Sequence, residues 1–162
     1  MSKYSICAGP EGPLFLAVDD DGRVLRLHFI AGALPVEDGW ERDDAALAEF
    51  ARQLDEYFAG ERVEFDLVLA PRGTPFQLEV WDQLCRIPYG ETISYGELAK
   101  RVDRSGAARA VGSANGQNPI AIIVPCHRVI GADGSLTGFG GGLPWKRWLL
   151  AREQPQGTLL SS

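Results

Sequence analysis

Between residues 71 and 75 the chain reads Pro71-Arg72-Gly73-Thr74-Pro75, and the charge balance changes sign across this stretch. Two prolines and a glycine so close together continue neither a helix nor a central strand. Residues 1–75 hold 7 Lys+Arg against 15 Asp+Glu, a balance of −8, and residues 76–162 hold 9 against 7, a balance of +2. One continuous core is therefore disfavoured. The break predicts two small domains, 1–72 and 76–155. A hydrophobic fraction of 45% is enough to build them and argues against disorder. The net charge of −6 discourages polyanion binding by the chain as a whole, so a nucleic acid would have to meet the second half.

The first half reads as a small α/β domain. Leu14–Val18 is an apolar run, Asp20-Asp21-Gly22 is a turn signal, and Val24, Leu25, Leu27 and Phe29 follow as a second extended segment. Leu47, Phe50, Leu54 and Phe58 recur at helical spacing within 43–58, with Gly60 as the stop. Val63, Phe65, Leu67 and Leu69 alternate as in a half-buried strand.

The second half reads as mostly helical, giving an α+β chain overall. Pro75 opens a helix over 76–86 that Pro88 cannot extend. Ser94 and Glu97 form a capping-box pattern for a helix over 95–102. After the polar connector 103–106, the Ala-rich stretch 107–115 opens a second short helix, which makes a helix-turn-helix candidate. Ile120–Val124 is a continuous apolar run, expected buried and extended. Pro144 starts a last helix, and the tail beyond Glu153 is expected to fray.

Supply limits the chemistry. Cys7, Cys85 and Cys126 form no CxxC pair and their number is odd, which speaks against a disulfide scaffold. With only His28 and His127 beside them, no metal site built from Cys and His is expected. Free thiols suit a reducing, cytoplasmic setting. No run approaches the roughly 18 apolar residues of a membrane span, and the first residues lack the layout of a secretory signal.

Cys126 is the most informative position, in Val124-Pro125-Cys126-His127-Arg128-Val129. A lone cysteine is most often a small packing residue. As a nucleophile it would need help, because a free thiol has a pKa of about 8.5. His127 could accept the proton and Arg128 adds positive charge. On a strand, neighbours face opposite ways, so Cys126 and His127 would need a turn or a water to cooperate. Gly138–Gly142 lacks the Lys-Ser/Thr of a phosphate loop, so its glycines suggest a close backbone approach or a flexible loop. Lys100, Arg104 and Arg109 flank the helix-turn-helix candidate. The small residues Ala107, Ala108, Ala110, Gly112, Ser113 and Ala114 make its second helix thin, suited to a groove or to tight packing.

Five stretches, in order, resemble the O6-alkylguanine-DNA alkyltransferases, or methylated-DNA–protein-cysteine methyltransferases. They are Phe76-Gln77 with Val80-Trp81, IPYGETISYGELA (87–99), RAVGSANGQNP (109–119), VPCHRVIG (124–131) and GFGGGLPWKRWLL (138–150). The resemblance implies direct reversal of O6-alkylguanine lesions, with O4-alkylthymine left open as a second lesion. The reaction would be a single irreversible transfer to Cys126 after base flipping, with no cofactor. His127, acting through a water, would deprotonate Cys126, and Glu153 would hold His127. Asn118 would brace the active-site turn. Tyr95, after Ser94, would pack on the target base and reach its N3. Arg109 would fill the gap left in the duplex, on a helix whose small residues Ala110 and Gly112 suit the minor groove of double-stranded DNA. The carbonyls of Cys126 and Val129 would read the guanine amine. Phe139 and Gly140 would line the alkyl pocket. Phe139 stands where some relatives carry tyrosine, and the small Gly140–Gly142 suggest tolerance of adducts larger than methyl. The resemblance also implies a monomer that could cluster on DNA.

Three other readings compete: a lesion-binding protein without chemistry, which Cys126 disfavours; an unrelated cysteine hydrolase, which would turn over repeatedly; and a transcriptional regulator, which the acidic charge disfavours.

Overall fold

A computed structural model describes residues 1–136, 139 and 141–154. The α+β backbone divides into two compact units, Met1–Arg72 and Gly73–Ser162.

In the first unit, β1 (Lys3–Gly9), β2 (Gly12–Val18), β3 (Val24–Phe29) and the two-residue β4 (Glu41–Arg42) form one sheet in the order β3-β2-β1-β4. The central strand β2 is buried on both faces, with Leu14, Phe15, Leu16 and Ala17 at 0% exposure. Its sequence is accordingly a continuous apolar run without alternation. The predicted β2–β3 hairpin is present, closed by Asp19, whose carboxylate accepts from the Asp21 and Arg23 amides at 2.9 Å each. The sequence reading missed β1. Its pattern, KYSICAG, does not alternate cleanly, and its register comes from pairing with β2, such as Cys7 opposite Leu14.

Helix α1 (Ala48–Phe58) starts later than the spacing suggested, because the Asp43 side chain holds the Ala46 amide (3.1 Å) in a turn before it. It buries Phe50, Gln53, Leu54 and Tyr57. The strand expected over 63–69 does not form; the segment makes a single bridge, Val24 to Leu69. The cause is local competition. The buried Gln53 side chain accepts from the Asp66 amide at 2.9 Å and donates to the Asp66 carbonyl at 3.2 Å, removing those groups from any ladder.

The second unit contains α2 (Pro75–Leu84), β5 (Ile93–Ser94), α3 (Tyr95–Arg101), α4 (Ala108–Gly116), a 3-10 turn (Cys126–Arg128), β6 (Val129–Ile130) and α5 (Leu143–Glu153). Thr74 and Gln77 close a reciprocal capping box at the start of α2, with bonds of 3.1 and 2.9 Å. Gly73 cannot be larger, since a Cβ there would lie 2.5 Å from Cη2 of Trp81. Trp81 is buried and donates from Nε1 to the Ala114 carbonyl at 2.9 Å, joining α2 to α4. Helices α3 and α4 are the predicted helix-turn-helix. Ser94 caps α3 by accepting from the Glu97 amide (3.1 Å), but Glu97 turns to Arg101 (3.3 Å), so the expected box is only half made. Asp103 and Gly106 take positive φ, 56° and 87°, to reverse the chain between the helices. No helix of the described residues is long and apolar enough to cross a membrane.

The run 120–124 is largely buried, as expected, but it is not extended. It folds into successive tight turns, and these turns build the site.

Candidate active site

After α4 the chain must reverse in a few residues. Ile122 takes φ 72°, a strained value for a β-branched residue. The Ile123 amide donates to the Ala121 carbonyl at 2.8 Å across it, closing a three-residue turn. Pro125 (φ −82°, ψ 66°) centres a second such turn, with the Cys126 amide donating to the Val124 carbonyl at 2.8 Å. Asn118 holds both ends of the reversal. Its Oδ1 accepts from the Ile120 amide (3.0 Å) and its Nδ2 donates to the Val124 carbonyl (2.7 Å). Cys126 thus opens a 3-10 turn and does not continue a strand. The opposite-face problem raised by the sequence does not arise.

Behind Cys126 lies a buried charged cluster. His127 is 0% exposed and its Nε2 lies 2.8 Å from Oε2 of Glu153. Arg128 grips the same carboxylate twice, Nε to Oε1 at 2.7 Å and Nη2 to Oε2 at 2.9 Å, and donates from Nη1 to the Ile87 carbonyl at 2.6 Å. Burial alone would raise the Glu153 carboxyl, but the His127 and Arg128 contacts outweigh it and bring its pKa down to about 2. Burial pushes the His127 pKa down, against the pull of Glu153, and the cations Arg128 and Lys146 add to the push. A neutral His127 facing an ionised carboxylate must carry its proton on Nε2. Its Nδ1 is then a lone-pair acceptor, buried and without a hydrogen-bond partner among the described residues. Cys126 is 6% exposed, and burial raises its thiol pKa, while a hydrogen bond from Asn118, the charge of Lys146 and backbone amides lower it.

The parallel pairing of Ile93 with Val129 and Ser94 with Ile130 brings the start of α3 to this turn. Tyr95, half-buried, follows directly. Gly112 of α4 backs it, and a Cβ there would sit 3.6 Å from the ring. Arg109 and Ala110 are exposed on α4. Val129 is fully buried, with its carbonyl already accepting from Lys146. Phe139 is half-buried; Gly140 and Gly138 lie outside the described residues. The structure therefore joins His127 to Glu153 and Asn118 to the turn that carries Cys126, brings Ser94, Tyr95 and Val129 to that turn with Gly112 behind Tyr95, and leaves Arg109 and Ala110 exposed. Among the described residues no group of three or more His, Cys, Asp or Glu could hold a metal ion.

A family model described as the DNA binding domain of 6-O-methylguanine DNA methyltransferase matches residues 75–155, and one described as its ribonuclease-like domain matches residues 2–71. The chain belongs to the 6-O-methylguanine DNA methyltransferase family. Two relatives carry the name methylated-DNA–protein-cysteine methyltransferase. That of Mycolicibacterium paratuberculosis is 59% identical, covering 95% of this chain and 93% of its own. That of Methanosarcina acetivorans is 51% identical, covering 93% and 97%. The crystal structure of Mycobacterium tuberculosis OGT in complex with DNA superposes with a TM-score of 0.86 at 51% identity, covering 94% of this chain and 92% of that one.

Two residues of this methyltransferase escaped sequence reasoning. Lys146 is 0% exposed, donates from Nζ to the Val129 carbonyl at 2.8 Å and lies 5.9 Å from the centre of the Phe139 ring. Burial lowers its pKa and the charge of Cys126 raises it. In sequence it looks like one of three basic residues on a helix, solvated by default. Only its place between Trp145 and Leu149, both buried, hinted otherwise. The second is Asn115, 5% exposed, whose Nδ2 lies 3.5 Å from the Cys126 carbonyl. It reads as a helix-ending residue and gives no further sequence signal.

Proposed function

We propose that this methyltransferase repairs O6-alkylguanine in double-stranded DNA by a single, irreversible transfer to Cys126. The observation that supports it most is the chain of buried contacts from Glu153 through His127 to the turn that begins at Cys126. Its open end is the lone pair on His127 Nδ1, which can take the thiol proton through a water. The sulfur then attacks the alkyl carbon, a C–S bond forms, and the C–O6 bond breaks with its electron pair leaving on guanine. Protonation or hydrogen bonding by Tyr95 at N3 offsets that charge. Lys146 supplies a fixed positive charge near the nascent thiolate. The product is a thioether, which water does not cleave, so each chain acts once.

The reacting oxygen is stacked inside the duplex, so the base must be flipped out, at a cost of a few kcal/mol. Arg109, exposed near the start of α4, would fill the space that the base leaves. The small outward residues of α4 suit the minor groove better than base readout in the major groove. The protein would act as a monomer in a reducing cytoplasm, and the small residues Gly141 and Gly142 would suit adducts beyond methyl.

Intact-mass measurement after incubation with an O6-methylguanine duplex tests this reading. One methyl group per chain, located on Cys126 and absent in Cys126→Ser, is expected. Repeated turnover, or label on Cys7 or Cys85, would refute it. Parallel O6-benzylguanine and O4-methylthymine substrates define the range.

A further inference from the structure

Glu153 is the last residue of α5, where a helix leaves its final carbonyls without intrahelical partners and frays. That end also carries the negative pole of the helix, an unfavourable place for a carboxylate. Even so, Glu153 is 2% exposed and meets His127 at 2.8 Å. The contacts of the segment Ile87–Gly90 account for this. The half-buried Tyr89 donates from its hydroxyl to the Arg152 carbonyl at 3.0 Å, filling one of those acceptors. Gly90 takes φ 86° and approaches so closely that a Cβ would lie 3.0 Å from the Glu153 carbonyl oxygen. Arg128, which grips the Glu153 carboxylate, donates from Nη1 to the Ile87 carbonyl at 2.6 Å and has its guanidinium carbon 5.7 Å from the centre of the Tyr89 ring. One short segment thus holds Glu153 twice, by its backbone and through its arginine partner.

The place of Glu153 decides what His127 can do. A carboxylate facing Nε2 fixes the imidazole proton there and leaves Nδ1 as the lone-pair acceptor. Without that partner both neutral tautomers are populated, and the second puts a proton on the nitrogen that has to accept one. Resting on the function proposed above, in which His127 takes the thiol proton, we infer that Tyr89 is a positioning residue: its hydroxyl pins the last turn of α5 and its ring backs Arg128, so that Glu153 stays on Nε2 of His127. Tyr89 acts through Glu153, and so on the proton transfer.

The test is Tyr89→Phe, which removes the hydroxyl and keeps the ring over Arg128. The imidazole nitrogens are read by nitrogen NMR. The chain has two histidines, so His28→Gln leaves the signals of His127 alone. With Tyr89 intact, a single tautomer with its proton on Nε2 is expected. In Tyr89→Phe the two nitrogen signals should move toward each other as the second tautomer is populated. The rate constant for single-turnover transfer from an O6-methylguanine duplex should fall about fivefold, the equivalent of one ordinary hydrogen bond. At saturating duplex an unfolded fraction lowers the amplitude of transfer and leaves the rate constant unchanged. Unchanged nitrogen signals, or a wild-type rate constant, in Tyr89→Phe would overturn the inference while the proposed function stands. No transfer by the wild-type protein would overturn both.

Discussion

The two units of this chain treat polar groups in opposite ways. In Met1–Arg72 the ion pairs lie at the surface: Lys3 with Glu41, Arg23 with Asp19, Arg52 with Glu49 and Glu56. Its core is aliphatic and aromatic, apart from Ser5 and Gln53. The Gly73–Ser162 unit buries His127, Arg128, Lys146, Glu153 and Asn115 beside Cys126. Surface pairs contribute little to stability, whereas a buried charge is tolerable only while its partner is present. The contrast separates a unit whose charges stay at the surface from one that holds a thiol, an imidazole and paired charges in its interior.

The largest expected effect comes from the sulfur itself. Cys126→Ala should abolish methyl transfer outright while leaving duplex binding measured by anisotropy nearly intact, since the side chain offers little surface. Next comes Glu153→Ala, which leaves Arg128 buried without its carboxylate. We expect a loss of about 3–5 kcal/mol in urea unfolding. Glu49→Ala in the first unit removes an exposed partner of Arg52 and should leave the midpoint almost unmoved. Equal effects at the two glutamates would erase the distinction between the units.

Lys146→Met should slow transfer about tenfold at neutral pH, the equivalent of one pKa unit on the thiol. Its rate should rise again at higher pH, where Cys126 ionises without help. A uniform loss at all pH values would instead mark Lys146 as a packing element. A finer probe is acid stability. Glu153 titrates at about 2 in the folded chain against 4.5 for the unperturbed group. A carboxyl with a depressed folded pKa stabilises fully above the unfolded value and loses that contribution as pH falls toward the folded one. Stability should therefore decline between about pH 5 and 2, and less steeply in Glu153→Gln. The smallest effect is expected at the remaining thiols: Cys7→Ser and Cys85→Ser should transfer at wild-type rates.

Much of this was legible in residue order. The β2–β3 hairpin, α1, the helix-turn-helix and the grouping of Cys126, His127 and Glu153 follow from apolar period, capping residues and the resemblance of the second half. The failures share a cause, which is that side chains decided where the backbone went. Gln53 captured Asp66 and cancelled a strand whose alternation was sound. Asn118 captured Ile120 and Val124 and turned an apolar run into tight turns. A hydropathy pattern reports which faces are buried, but it carries no information on which amide a distant carboxamide will take. Lys146 and Asn115 were missed for a related reason: their burial depends on tertiary neighbours that adjacent residues do not reveal.

The bond from the Trp81 indole to the Ala114 carbonyl has a practical consequence. That indole is wired to the helix bearing Arg109, so its emission should respond when α4 shifts against α2. With Trp40, Trp145 and Trp148 replaced by phenylalanine, that single indole would give a dye-free optical readout of any movement of α4 when duplex DNA is added.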